Sequence, residues 1–271
     1  MRSRRMTPQT LDNAAAESLL AFWRDAGVDA CFEDAPVDRT RVELPAPRQA
    51  VLKATASVIA PPSAADCAQD ARQAAGEAQT LDELMRAAAA FDGCGLKRQG
   101  ARRAVVGDGP ADASILVIGA APGEAEDQTG EVFAGPAGRL FDRMLAEAGL
   151  TGRVYRMNSV FWRPPGDRPA NPEEQTACLP FLERALELLR PSAALLLGAA
   201  PARAVLNATE PLPRLRGQWR DWRPPQAGGV SAPALITLNP QFLLRTPTAK
   251  RAAWADMLNL AARLDAIDAG A

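Results

Sequence analysis

Histidine is absent from all 271 residues, so no imidazole can serve as acid, base, electrophile or metal ligand in this chain. Cysteine is scarce. Cys31, Cys67, Cys94 and Cys178 stand far apart and form no C-x-x-C pair, which argues against a structural zinc site or a disulfide framework. Such sparse thiols fit a reducing, cytoplasmic setting. No apolar run approaches the roughly 20 residues of a membrane span, so no membrane association is expected. The basic start MRSRRMTPQT has no apolar stretch before a small-residue cleavage site, so no secretory signal is expected either. The glycine-bearing loops lack both GxxxxGK(S/T) and GxGxxG, which sets aside a P-loop and a dinucleotide fingerprint.

What is present is ample for a core, with 47% hydrophobic residues. The net charge of −1 offers no global attraction to nucleic acid, but its distribution is uneven. Between Pro201 and Ala255, eight Lys and Arg stand against Glu210 and Asp221 only. A local basic segment of this kind is either a phosphate-contacting face or an ordinary solvated one.

The periodicity divides the chain into three parts. Residues 1–35 hold an amphipathic helix over about 10–26, with Leu11, Ala15, Leu19, Phe22 and Trp23 at helical spacing. Residues 36–77 are rich in Ala, Pro and charge without a sustained period, and read as a linker of disordered composition. From 78 to 271 a helix at Leu81–Ala90 precedes alternating strands and helices. Strands are expected at 114–119, 154–158, 193–198 and 234–238, with helices at 137–148, 172–189, 201–206 and 248–264. That alternation predicts an α/β fold, a three-layer α/β/α sandwich round a central four-stranded parallel sheet. In such sheets ligands sit beyond the carboxyl ends of the strands, so the loops found there are the places to look for chemistry.

Three of those loops carry candidates. After the first strand, GAAPGEAEDQTGEVFAGPAG (119–138) opens with a tight glycine loop able to approach a ligand closely. Its Phe133 either stacks on a flat ring or enters the core. After the second, NSVFWRPPGDRPANPEE (158–174) begins with Asn158, whose amide can donate to a carbonyl and accept from an N–H on one ligand edge. A turn or cap is its other reading. After the fourth, NPQFLLRTP (239–247) presents Leu243 and Leu244 followed by Arg245, either a wedge for a base stack or the opening face of a helix.

Taken in order, these stretches resemble the family 4 uracil-DNA glycosylases. The shared pattern is GxxPG at Gly119–Gly123, GxxFxGxAG at Gly130–Gly138, NxxxxRPPGxRxxxPEE at Asn158–Glu174, RLRGxW at Arg214–Trp219, and xPxxLLR at Asn239–Arg245. Each element is weak alone; five in order on the expected loops are specific. The resemblance implies removal of uracil, or another deaminated base, from DNA by hydrolysis of the N-glycosidic bond of a flipped nucleotide. It implies that Phe133 stacks on the base and Asn158 reads its edge, while Gly119, Ala120 and Ala121 line it. Glu126, Asp127 and Asn239 would form the catalytic set, and Pro122, Gly123, Arg163, Arg216, Leu243, Leu244 and Arg245 would contact DNA.

The chain also departs from that family. The usual GEAPG is GAAPG here, so the acidic side chain is missing at Ala120, and the usual His-Pro is Asn239-Pro240. Relatives of this type hold an iron–sulphur cluster on four cysteines; Cys94 and Cys178 match two of them, while Phe91 and Trp162 stand at the others. Two thiolates cannot complete such a cluster, so no cofactor or metal is expected, with the two rings filling the volume. The branch that cross-links to uracil-DNA depends on a histidine and is excluded. The chain is thus a base-excision enzyme, a degenerate paralogue that binds DNA or damaged bases without cutting, or a nucleotide- or metabolite-binding α/β domain. DNA carrying a damaged base is the expected partner of a monomer, and the N-terminal helix could tether a repair protein.

Overall fold

A computed structural model describes residues 17, 18, 21–23, 25, 64–225 and 228–270. The chain divides after Val58 into two units, and the second, Ile59–Ala271, carries the sheet and its helices. Of the expected N-terminal helix, the few described residues are helical; the rest of it, and the linker up to residue 63, lie outside the described residues.

The strands are short and, at the centre, mainly apolar. β1 spans Gly107–Asp108, β2 Ile115–Gly119, β3 Val154–Asn158, β4 Ala193–Leu197, β5 Trp219–Trp222 and β6 Ala232–Thr237. They form one sheet in the order β1-β3-β2-β4-β6-β5. β3, β2, β4 and β6 run parallel, while β1 lies antiparallel to β3 and β5 antiparallel to β6. The expectation of a four-stranded, purely parallel sheet is therefore overturned: the sheet is mixed and has six strands. Both added strands are edges that lack a core strand's signature. Gly107–Asp108 is too short to show a period, and WRDW mixes rings with charge, as exposed edges do.

Buried strands need cover on both faces, and their residues alternate between two cores. Leu116 and Ile118 of β2 pack into one apolar cluster, Ile115 and Val117 into the other. The first cluster is closed by α1 (Ala64–Glu77), α2 (Leu81–Ala90), α5 (Pro172–Leu189) and α6 (Ala199–Leu206). The second is closed by α4 (Gly135–Glu147) and α9 (Lys250–Gly270). Shorter helices, α3 (Glu124–Thr129), α7 (Leu212–Leu215) and α8 (Pro240–Arg245), occupy the connections.

Helix α1 lies where composition suggested linker. Its Ala71 and Ala75 are almost wholly buried in the first cluster, and α1 lies against α5. Small residues at helical spacing let two helices approach closely, yet they leave almost no hydrophobic signal in a sequence. The RxxNPEE end of the second loop is a cap. Asn171 accepts from Glu174 N–H, and the Glu174 carboxylate accepts from Asn171 N–H, both at 2.8 Å, closing a capping box on α5. Arg168 holds that same carboxylate at 2.6 Å. Among the described residues no helix is long and apolar enough to cross a membrane.

Candidate active site

Three strand ends converge on one small pocket. In the parallel register Gly119 of β2 pairs with Asn158 of β3, which brings the first two loops side by side. Asn239 follows β6 and caps α8. Together with Ala120, Ala121, Glu126 and Phe133 these residues line a pocket of about 50 Å³.

Phe133 is placed by an unusual backbone. Its φ of 61° lies in the left-handed region, which bulky residues seldom adopt. The conformation is held from three sides. Phe133 N–H donates to Glu126 Oε1 at 2.7 Å, the ring meets Phe141 edge-on at 5.6 Å between centroids, and Gly138 leaves room behind the carbonyl. A Cβ at Gly138 would land on that Phe133 oxygen. Gly119 is needed for a similar reason: a Cβ there would come within 2.5 Å of Phe133 Cε1 and 2.7 Å of Asn158 Oδ1.

Asn158 is only 1% exposed. Its amide nitrogen reaches Val105 O and Glu126 Oε1, each at 3.5 Å, the outer limit of a hydrogen bond. The amide is thus oriented but weakly engaged. Next to it, buried Ser159 donates from both N–H (2.9 Å) and Oγ (2.6 Å) to the Ala120 carbonyl and so pins the glycine loop. Sequence reasoning missed Ser159, whose only signal was its place beside Asn158, and did not separate Gly138 from the other motif glycines.

Among the described residues Glu126 is the one ionisable side chain lining the pocket. At the third position of α3 it reaches back to accept Gly123 N–H with Oε2 at 2.7 Å, while Oε1 takes Phe133 N–H. Burial pushes its pKa above the ordinary carboxylate value, and the N–H bonds from Gly123 and Phe133 only partly oppose that. As pH falls through the raised value the folded protein takes up a proton that the unfolded chain does not yet bind. Glu126 therefore contributes relative stability towards acid pH. The proton also removes one acceptor from the loop's anchor. We expect any activity to decline as pH falls through the raised Glu126 pKa while the melting temperature holds, and this limb to disappear from the pH profile of Glu126→Gln.

Several expected site residues lie elsewhere. Asp127 is buried (3% exposed) and accepts Arg102 N–H at 2.8 Å, so it ties down the segment before β1 and does not reach the pocket. Leu243 is fully buried against Leu238 and Ala253, which leaves it no part in a wedge; Leu244 and Phe242 are the exposed apolar residues of α8. Pro122 and Gly123 form the turn into α3. Asn239 is partly engaged as a cap, its Oδ1 accepting Gln241 N–H at 2.8 Å and its Nδ2 lying 3.4 Å from Leu197 O.

The basic residues separate in the same way. Arg163 is clamped by Asp167 at 2.7 Å, Arg220 by Glu210 and Arg223 by Asp221, both at 2.8 Å. Arg216 is tied to Asp256 at 2.6 Å and to Ala252 O, joining the turn before β5 to α9. Asp256 is 3% exposed and also accepts from Thr237 Oγ1. Arg245, by contrast, makes no ion pair or side-chain hydrogen bond within the described residues. Arg216→Ala should therefore cost about 2–3 kcal/mol in urea unfolding, because it strands a buried carboxylate. Arg245→Ala should leave stability intact and, if this face meets DNA, reduce the slope of log affinity against log salt by about 1. Equal salt slopes for wild type and Arg245→Ala would remove this residue from the DNA face.

The residues round the two matching cysteines do not fit a four-thiolate cluster. Cys94 and Cys178 are free, fully buried thiols, with buried Phe91 and Trp162 in the same core. Among the described residues no group of three or more His, Cys, Asp or Glu is placed to hold a metal ion.

Comparison with known proteins gives the family of the chain. The sequence profile of the uracil DNA glycosylase superfamily matches residues 106–259, which include every pocket residue named above. The type-4 uracil-DNA glycosylase of Thermotoga maritima is 38% identical over 143 residues, 52% of this chain and 71% of that protein. That of Pyrobaculum aerophilum is 34% identical over 174 residues, 62% of this chain and 85% of that protein. That of Archaeoglobus fulgidus is 38% identical over 130 residues, 48% and 65% of the two chains.

Proposed function

The chain belongs to the uracil DNA glycosylase superfamily, of family 4 type, and on that premise we propose that it excises uracil or another deaminated base from DNA. The observation that carries this reading is the convergence of Phe133, Asn158, Asn239 and Glu126 on one pocket at the carboxyl ends of the parallel strands.

A base inside a duplex cannot reach such a pocket, so the nucleotide must be turned out of its stack. Phe133, fixed by Glu126 and Phe141, offers a ring for the flipped base. The Asn158 amide donates to the uracil O4 and accepts from N3–H; cytosine presents the opposite pattern and is refused. Exposed Leu244 and Phe242 on α8 fill the gap left in the stack, with Arg245 on the phosphates. Bond breaking leaves a cationic sugar and a uracil anion. Backbone N–H groups of Ala120 and Ala121 and the Asn239 amide stabilise the charge on O2, and need no histidine to do so.

Glu126 takes the role of general base by elimination, since among the described residues no other ionisable side chain lines the pocket. Oε2 keeps a lone pair beyond its bond from Gly123 N–H, so a water can still donate to it.

The same two anchoring bonds also favour a second reading. A carboxylate whose first job is to hold the loop, together with Ala120 where relatives carry an acid, suits a paralogue that binds damaged DNA without cutting it. End-labelled oligonucleotides carrying uracil, hypoxanthine or xanthine, treated with alkali after incubation, decide between them. Strand breaks that vanish in Asn158→Ala support excision. Intact strands at stoichiometric protein, with the DNA still bound, support binding alone.

A further inference from the structure

The sequence resemblance brings a four-cysteine iron–sulphur cluster with it, and the tertiary structure argues for something else in that place. Cys94 precedes the short turn Gly95–Arg98 after α2, and Cys178 lies on α5; neither has any exposed surface. Both thiols are free, and they lie close enough for each to perturb the other's ionisation, with burial holding Cys178 well above the ordinary thiol value. In the same core the rings run in an unbroken series. Phe91 lies 5.4 Å from Phe181, Phe181 5.7 Å from Phe161, and Phe161 5.9 Å from Trp162, centroid to centroid. Lys97 closes the outside, donating to the last carbonyls of α2 from 5.9 Å above the Trp162 ring.

We propose that this thiol pair and its four rings form a metal-free plug that lets the chain fold, and hold the loop after Asn158, with no iron–sulphur cluster. The donor count is the first argument. Among the described residues two sulphurs stand at the family's positions, half of what the cluster needs; Cys67 does not join them into a group of three, and the other two positions present carbon. Packing is the second. A cluster-sized hole would have to be lined by ligands, whereas Trp162 and Phe91 are buried here in contact with other rings. Connection to the pocket is the third. Phe161 O accepts Val105 N–H at 2.7 Å, and Val105 O faces the Asn158 amide, so the plug grips both sides of the residue proposed to read the base. Only this last link rests on the proposed function.

The test uses the full chain, expressed with ample iron and purified without oxygen. Iron and acid-labile sulphide should be far below one atom per chain, and chelator with ferricyanide should not move the melting temperature. Cys94→Ala with Cys178→Ala should lower the melting temperature by a few degrees and keep the native circular dichroism. Trp162→Ala should lower it by more; if that variant does not fold, Trp162→Phe, which keeps a ring, should fold and melt below the wild type. Stoichiometric iron and sulphide would overturn the proposal. So would a double-cysteine variant less stable than Trp162→Ala, because the thiols and not the rings would then carry the region. None of these readouts depends on base excision, so failure of the glycosylase reading leaves the test standing.

Discussion

Alanine at position 138 is expected to abolish excision and to cost about 3 kcal/mol, the upper range for forcing an atom into a packed interior. For a domain of this size that is roughly 10 °C of melting temperature. The added methyl would occupy the site of the Phe133 carbonyl oxygen. Either the first turn of α4 or the backbone at Phe133 must then move. Phe133 already sits at φ 61°, a conformation stable only while its surroundings enforce it. It is the element expected to yield, taking its ring off Gly119 and releasing the N–H held by Glu126. Thermal unfolding and single-turnover excision on a uracil oligonucleotide check the two halves separately. A variant that melts and cuts like the wild type would show that the 133–138 turn is adaptable and that the ring's position is not set by Gly138.

Asn158→Ala carries the second large effect and separates chemistry from folding. It removes no ion pair and only two long hydrogen bonds of 3.5 Å, so the stability change should stay near about 1 kcal/mol. Single-turnover excision of uracil should nevertheless fall about 10²- to 10³-fold, the usual loss when one preorganised polar partner of the reacting group is removed. Asn158→Asp sharpens the point. It keeps the shape but replaces the amide donor with a second acceptor, which meets uracil O4 with repulsion. Discrimination between uracil and cytosine should then narrow, even as the rate on uracil drops. Rates on matched uracil and cytosine substrates measure this directly. An alanine variant as active as wild type would mean that the base edge is read elsewhere, and Gln241 at the pocket mouth would be the next residue to change.

Much of this architecture was legible in the sequence. β2 and β4 are uninterrupted apolar runs because both their faces are buried, and such runs announce themselves; β3 and β6 are mainly apolar, β3 carrying Arg156 at its middle. Helix α5 was legible from Pro172 at its first turn, and α2 from Thr80 and Glu83, which do form the expected cap. Asn158, Phe133 and Glu126 could be placed on one loop system because strand ends and their loops follow from that alternation.

The errors have a common cause. Edge strands β1 and β5 owe their conformation to pairing with β3 and β6, not to their own period. Helix α1 is held by alanines that fit closely against α5, a property of the partner surface. Leu243 and Leu244 are adjacent and chemically identical, yet one faces Leu238 and Ala253 while the other faces outward.

Composition and order of residues thus determined, without further help, that no imidazole takes part, that a parallel core exists, and which loops meet at its end. These are properties of covalent identity and local period, and no folding can change them. Only the tertiary structure decided which of the candidate charges were free. Asp127 holds Arg102 N–H, Arg216 is held by Asp256, and Arg163 by Asp167, whereas Arg245 has no such partner among the described residues. A charge's role depends on what lies within a few ångströms of it, and those neighbours come from 25 residues away for Asp127 and 40 for Arg216. That distance along the chain is why sequence could nominate these residues but not assign them.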